Sequence, residues 1–269
     1  MLSYRTHLSL RFNSNGLSFD LLREGRGYCK TGLGKLCEVL RRNRLPKHSR
    51  KLQVTQDEFP ELMSALTDSN IVMAIYIYSL RLENGSDIIS LFHALQGKLT
   101  IHTLVVRVRL SSLLYGKLCE TIATLPNLAL LTVASPSCDL ELFMSSLQSL
   151  TCLRRLNFDM GDYNDEIKIA VITDLSSRLH HLTLSHEVSH AEVTALSDIL
   201  RVNTTLRSLH LCHLRIPPPI RDRRIMSDVL NANTALHHLT LTNRGRHPLN
   251  YNYDGLLSDM INNTTLRSL

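Results

Sequence analysis

The run His186-Glu187-Val188-Ser189-His190 has the residue types and spacing of a zinc-peptidase motif. HExxH on one helix sets two imidazoles a turn apart on the metal, with the Glu as general base. The residues that follow point elsewhere. Ser189-His190-Ala191-Glu192 has the order of a capping box, with Ser189 as N-cap and Glu192 bonding back to it. The helix then starts after Glu187, and the two His do not share a face of it. No third ligand is suggested, so no metal site is expected here. Thirteen His in one chain is a high count. Four of them form two adjacent pairs, His180/His181 and His237/His238. No Walker loop, GxSxG elbow or dinucleotide fingerprint occurs, and no Cys has a context that suggests activation. The residues therefore predict a protein that is not an enzyme and has no cofactor.

The other chemical feature is charge. Residues 41–51 hold Arg41, Arg42, Arg44, Lys47, Arg50 and Lys51, a run that fits either a nuclear-import signal or a nucleic-acid contact. A solvated surface reads equally well, and no aromatics interleave the run to stack on bases. The net charge is +6. Residues 1–55 carry 12 Lys/Arg against 3 Asp/Glu, and the remainder 18 against 21, so the excess belongs to the N-terminal fifth.

The elements that position these residues follow from a repeat. Leu196-SDI-Leu200-RV-Asn203-TT-Leu206-RS-Leu209-H-Leu211 recurs 30 residues later from Met226 and again from Leu256. Taking the first residue of LxxLxL as an anchor, anchors fall at Val72, Ile101, Leu128, Leu153, Leu179, Leu206, Leu236 and Leu266. Every residue three after an anchor is apolar, and so is every residue five after one until the chain stops. Ten and six residues before the anchor stand pairs such as Leu62/Leu66, Leu91/Leu95 and Leu196/Leu200, which share one face of a helix. The Leu179 repeat alone offers Ile169 and Thr173. Each unit reads as a helix, a loop and a strand. No unit can bury its apolar face alone, so units must stack into a parallel sheet under a helical layer.

The pattern resembles the leucine-rich repeats of the ribonuclease-inhibitor type, found also in NOD-like receptors and the Ran GTPase-activating protein. NTTLRSLHL is its most specific part. The resemblance implies an α/β fold, a right-handed solenoid or horseshoe with a parallel concave sheet and convex helices. Residues 60–269 would form about eight repeats of 25–30 residues, the last incomplete. The family often places Asn, Cys or Thr three residues after the last strand Leu. Here that slot holds Leu80, Arg109, Pro136, Gly161, Glu187, Leu214 and Arg244, so an irregular horseshoe is expected.

Residues 1–59 are expected to be one or two degenerate, basic repeats acting as an N-terminal cap, with Leu52 and Val54 as the best strand residues. At the other end Leu266 and Leu269 meet no polar cap, so further repeats or self-association are expected there. With 43% apolar residues and no Trp, branched aliphatics must build the core. Six Cys without a CxxC pair, and a start without a long apolar segment, predict reduced thiols in the cytoplasm or nucleus. The longest apolar stretch, Ile71 to Leu80, is half the length of a membrane span.

The expected function is protein–protein interaction through side chains facing out of the concave sheet, two, four and six residues after each anchor. These include Tyr76, Tyr78, Val105, Arg107, Thr132, Arg155, Asp159, His181, His210 and His238. Tyr and Arg are common hot-spot residues. Two alternatives stand beside it: a nucleic-acid-associated or nuclear protein using segment 41–51, and a GTPase regulator by analogy of fold.

Overall fold

The computed structural model describes residues 6–13, 16–23, 28–30, 33–43, 49–54, 58–78, 85–107, 110–134, 140–159, 165–186, 188–212, 220–242 and 263–267. Two compact units result, Met1–Leu153 and Arg154–Leu269.

In the first unit the repeat elements are α2 (Phe59–Asp68), β5 (Ala74–Tyr78), α3 (Gly85–Leu95), β6 (Thr103–Arg107), α4 (Ser112–Ala123), β7 (Leu130–Val133) and α5 (Leu140–Gln148). Strands β5, β6 and β7 pair in parallel, with Ile75, Leu104 and Leu131 in one register row and Ile77, Val106 and Val133 in the next. All six are buried, as are anchors Val72, Ile101 and Leu128 and the helix pairs Leu62/Leu66, Leu91/Leu95 and Leu118/Ile122. Successive helices contact each other. The aliphatic core thus lies between a parallel sheet and a helical layer, as the period-2 and i, i+4 patterns require.

The N-terminal strands extend this sheet by a different pairing. Strands β1 (Thr6–Asn13) and β2 (Gly16–Arg23) are antiparallel, β2 is antiparallel to β4 (Ser49–Val54), and β3 (Tyr28–Lys30) runs parallel to β4. The order is β7-β6-β5-β1-β2-β4-β3, with β1 parallel to β5. Helix α1 (Leu33–Arg41) contacts α2 and buries Leu36, Cys37 and Leu40. A repeat makes only parallel pairs, so the strands at 6–54 are a hairpin-based addition to the sheet.

The second unit repeats the architecture with β8 (Arg155–Phe158), α6 (Asp165–Ser176), β9 (His181–Leu184), α7 (His190–Val202), β10 (Ser208–Cys212), α8 (Ile220–Ala232) and β11 (His238–Thr242). All four strands are parallel neighbours, and Leu156, Leu182, Leu209 and Leu239 form one buried row. Helix α6 departs from the expected frame. Ile169 is half-exposed and Thr173 exposed, while Val171 and Leu175, two positions nearer the strand, are buried. This rotation also turns Lys168 into the protein. Among the described residues no helix is long and apolar enough to cross a membrane.

Candidate functional site

Two sets of hydrogen bonds stand at strand starts, a backbone ladder at β6, β7, β9, β10 and β11 and side-chain bonds before β6, β10 and β11. In the first, the carbonyl of the residue after the anchor accepts two backbone N–H groups from the next repeat. Met73 takes His102 and Thr103 at 2.8 and 3.2 Å, and His102 takes Ala129 and Leu130 at 2.9 and 3.0 Å. In the second unit Arg154 takes His180 and His181, His180 takes Arg207 and Ser208, and Arg207 takes His237 and His238.

The second ladder is made by side chains three residues before the anchor. Asn203 Oδ1 accepts the Thr205 and Leu206 N–H groups at 3.0 and 2.7 Å, and its Nδ2 donates to the Ser176 carbonyl at 2.7 Å. Asn233 does the same for Ala235 and Leu236, and donates to the Leu200 and Asn203 carbonyls at 2.6 and 3.1 Å. Asn263 closes the Thr265–Leu266 turn and donates to Leu230. Each Asn satisfies turn N–H groups and a carbonyl at or near the preceding helix end together. In the first unit Lys98 occupies this slot. It is buried, and its Nζ donates to the Thr67 and Ser69 carbonyls. The sequence displays these Asn residues at a fixed place in the repeat. Their role was missed because the bonding slot was sought after the strand, at positions that lie outside the described residues.

On the outward face of the first unit, Tyr76, Val105 and Thr132 share a register row, and Tyr78 pairs with Arg107. Tyr76 is half-buried and Arg107 exposed. Val105 and Thr132, expected outside, are only 6% and 8% exposed. Val105 sits between Tyr76 and Thr132 in that row, so its short side chain is covered even on the open face. The side chain of Tyr78 lies outside the described residues. Of the basic run, Arg41 pairs with Glu61 at 3.7 Å and Arg42 with Glu38 at 3.0 Å. Arg44, Lys47 and the side chains of Arg50 and Lys51 lie outside the described residues; the backbones of the last two belong to β4.

The second unit brings Arg155, His181, Ser208 and His238 into one outward row. His210 stands in the next row, with Nε2 at 3.1 Å from Thr242 Oγ1 and 3.5 Å from Cys212 Sγ. Asp159 is half-buried just past β8. His181 and His238 are separated by β10, as the two-repeat spacing requires. Burial holds His181 below the ordinary imidazole pKa, and the charges of Arg155, His180 and His238 add to the effect. The His210–Cys212 contact was not foreseen, although Cys212 stands six residues after its anchor.

The HExxH-like run folds as its capping box dictates. Ser189 caps α7, its hydroxyl accepting the Glu192 N–H, while Glu192 Oε2 accepts the Ser189 N–H at 2.8 Å. Helix α7 starts at His190, so His186 lies outside it. His186 Nε2 instead lies 2.7 Å from Glu192 Oε1, with both side chains buried, and Lys168 Nζ lies 3.9 Å from Oε2. Burial alone would raise the Glu192 pKa. The bonds from His186 and Ser189 and the charges of His186 and Lys168 overcome it, and the net shift is downward. The motif therefore builds a structural ion cluster. Among the described residues no group of three His, Cys, Asp or Glu could hold a metal ion. Burial, followed by the Glu61 charge, pushes the Cys37 thiol up to about 11.

No family model and no curated protein matches the chain. Among solved structures it is similar to an internalin from Listeria monocytogenes, at 14% identity and a TM-score of 0.30, over 76% of this chain and 69% of that one. A superposition this loose decides nothing about function. The leucine-rich-repeat-like assignment rests on the register of the chain's own strands and helices.

Proposed function

We propose that the chain is a non-catalytic protein-binding module built from leucine-rich repeats of the ribonuclease-inhibitor type. The observation that carries this reading is the pair of ladders. They hold the starts of β6, β7, β9, β10 and β11 in place, so outward side chains there are displayed with little entropy left to lose on binding. The binding residues are Tyr76, Tyr78 and Arg107 on the first unit and Arg155, Asp159, His181, His210 and His238 on the second. Residues 1–59 act as the cap of the repeat array at 60–269, and the protein works in the cytoplasm.

The test is affinity capture from cell extract by the whole chain, beside a variant with Tyr76, Tyr78, Arg107 and Arg155 changed to Ala. The expected result is a protein partner that the variant loses. A partner retained equally by both would remove these residues from the site. Salt-sensitive RNA binding, lost with Arg41→Ala, Arg42→Ala and Arg44→Ala, would favour the nucleic-acid alternative.

A further inference from the structure

The residue directly after the anchor is Arg154, His180, Arg207, His237 and Arg267 in the five successive repeats of the second unit. The next residue is Arg155, His181, Ser208, His238 and Ser268. Neither slot holds an acid in any repeat. The corresponding slots of the first unit are different: Met73, His102 and Ala129, then Ala74, Thr103 and Leu130.

The backbone ladder places these residues at one edge of the sheet, each one strand from the next. Arg154, His180, Arg207 and Arg267 are exposed and His237 is half-exposed. With strands ~4.8 Å apart, five positions span about 19 Å. Arg207 and His237 both donate to the Ala235 carbonyl, at 3.1 and 2.6 Å. Those bonds orient the two side chains toward the edge without neutralising charge, because a carbonyl carries none. The depressed pKa of His181 reports the same crowding, since part of it comes from Arg155, His180 and His238. The permanent charges, Arg154, Arg155, Arg207 and Arg267, stand in alternate repeats with imidazoles between them, and no acid shares either slot. A solvated edge would accept any polar residue, so the arrangement suits a ligand of opposite sign.

We infer that this strand-start edge of the second unit is a docking site for an extended acidic peptide segment of a partner protein. The inference rests on the protein-binding reading above and supplies the partner's chemistry. An extended chain advances about 3.4 Å per residue, so six or seven residues cross the row. Carboxylates on alternate residues of such a segment all face the protein. Nucleic acid fits less well. No Phe, Tyr or Trp stands in the slots one, two or four after the anchor in this unit, so a base meets only imidazole and guanidinium planes to stack on, and the RNA control tests that.

The test uses the whole chain and a fluorescein-labelled octapeptide of alternating Glu and Ala, with an alternating Gln peptide and a labelled single-stranded RNA octamer as controls. Fluorescence anisotropy is read at low and at physiological salt. The Glu peptide should bind, weaken with salt and outcompete the RNA, and the Gln peptide should not bind. Each exposed charge removed should cost about 1.5- to 5-fold in Kd, so Arg154→Gln, Arg155→Gln and Arg207→Gln together should cost roughly 3- to 100-fold. The same three positions changed to Lys should retain binding, which separates lost charge from lost folding. Equal binding by the Gln and Lys triple variants, or no binding of the Glu peptide, overturns the inference. Tighter binding of the RNA overturns it in favour of a polynucleotide. If the Glu peptide fails while a captured partner still depends on Tyr76 and Arg107, the acidic-segment inference falls and the protein-binding reading stands.

Discussion

Replacing Asn233 with Ala removes four hydrogen bonds from the interior of the second unit. Two are accepted by Oδ1 from the Ala235 and Leu236 N–H groups, and two are donated by Nδ2 to Leu200 and Asn203. Asn233 is only 6% exposed, so water does not replace these partners freely. A net 0.5–1.5 kcal/mol for each bond sums to roughly 2–6 kcal/mol. The bonds share one side chain and are not independent, so we expect about 2–4 kcal/mol. The loss falls on the contact between neighbouring repeats, where solenoid cooperativity resides.

Urea unfolding followed by circular dichroism measures it. Thr234→Ala, at the exposed neighbouring position, is the control and should stay within about 0.5 kcal/mol of the parent. Asn233→Asp keeps the acceptors but aims a carboxylate at the Leu200 and Asn203 carbonyls, so at neutral pH it should be at least as damaging as Ala. A loss below about 1 kcal/mol for Asn233→Ala would refute the ladder argument, because the turn would then close without its side chain.

Three further outcomes follow from the buried and crowded charges. Glu192→Ala should cost about 3–5 kcal/mol by urea titration, since it strands Lys168 and His186 in the interior, and Glu192→Gln should cost less. The Glu192 pKa is lowered on folding, so its contribution is complete above the unfolded value of about 4.3 and fades as pH falls through the folded one; acid unfolding of Glu192→Gln should therefore depend less steeply on pH. His181 should titrate below about 6.5 by NMR and move up in Arg155→Ala; because its folded pKa is depressed, its contribution to stability is lost as pH falls below about 6.5, and an unmoved midpoint would remove Arg155 from its surroundings. Lys98→Met leaves the Thr67 and Ser69 carbonyls without their charged donor and should cost about 1.5–3 kcal/mol, while Lys117→Met, on an exposed ion pair, should cost under about 1 kcal/mol.

The apolar frame was legible because a thin aliphatic core accepts few alternatives at the anchor and at the third and fifth residues after it. Leu182, Leu209 and Leu239 could be placed side by side from spacing alone. Features that depend on what a side chain meets were not legible in the same way. Ile169 and Thr173 have the right spacing, but α6 turns Val171 and Leu175 inward in their place. Val105 and Thr132 alternate correctly and are still covered. The β1–β2 hairpin had a signal that the repeat frame obscured. Leu8-x-Leu10-x-Phe12 and Leu17-x-Phe19-x-Leu21 alternate on either side of a short polar run, and Asn13 pairs with Gly16 across it. The Lys168–Glu192–His186 cluster needed the rotation of α6, which no local pattern announces.

The two units use one frame for different surfaces, and this locates the freedom of the sequence. The anchor, third and fifth slots are committed to the core, and the slot three before the anchor is committed, in Asn203, Asn233 and Lys98, to carbonyls of the preceding repeat. The first, second and fourth slots after the anchor face outward and meet no such demand. In the first unit they hold residues such as Tyr76, Val105 and Leu130; in the second they hold Arg154, Arg155, Arg207 and five imidazoles beside the neutral Asn157, Thr183, Ser208 and Thr240. Charge summed over residues 56–269 is −3 and hides this, because acids such as Asp174, Glu192 and Asp198 lie on the helices while Arg154, Arg155 and Arg207 stand at the strand starts. Net charge speaks to solubility and long-range steering. The backbone ladder holds these slots in line, and in the second unit the charged residues among them are all arginines.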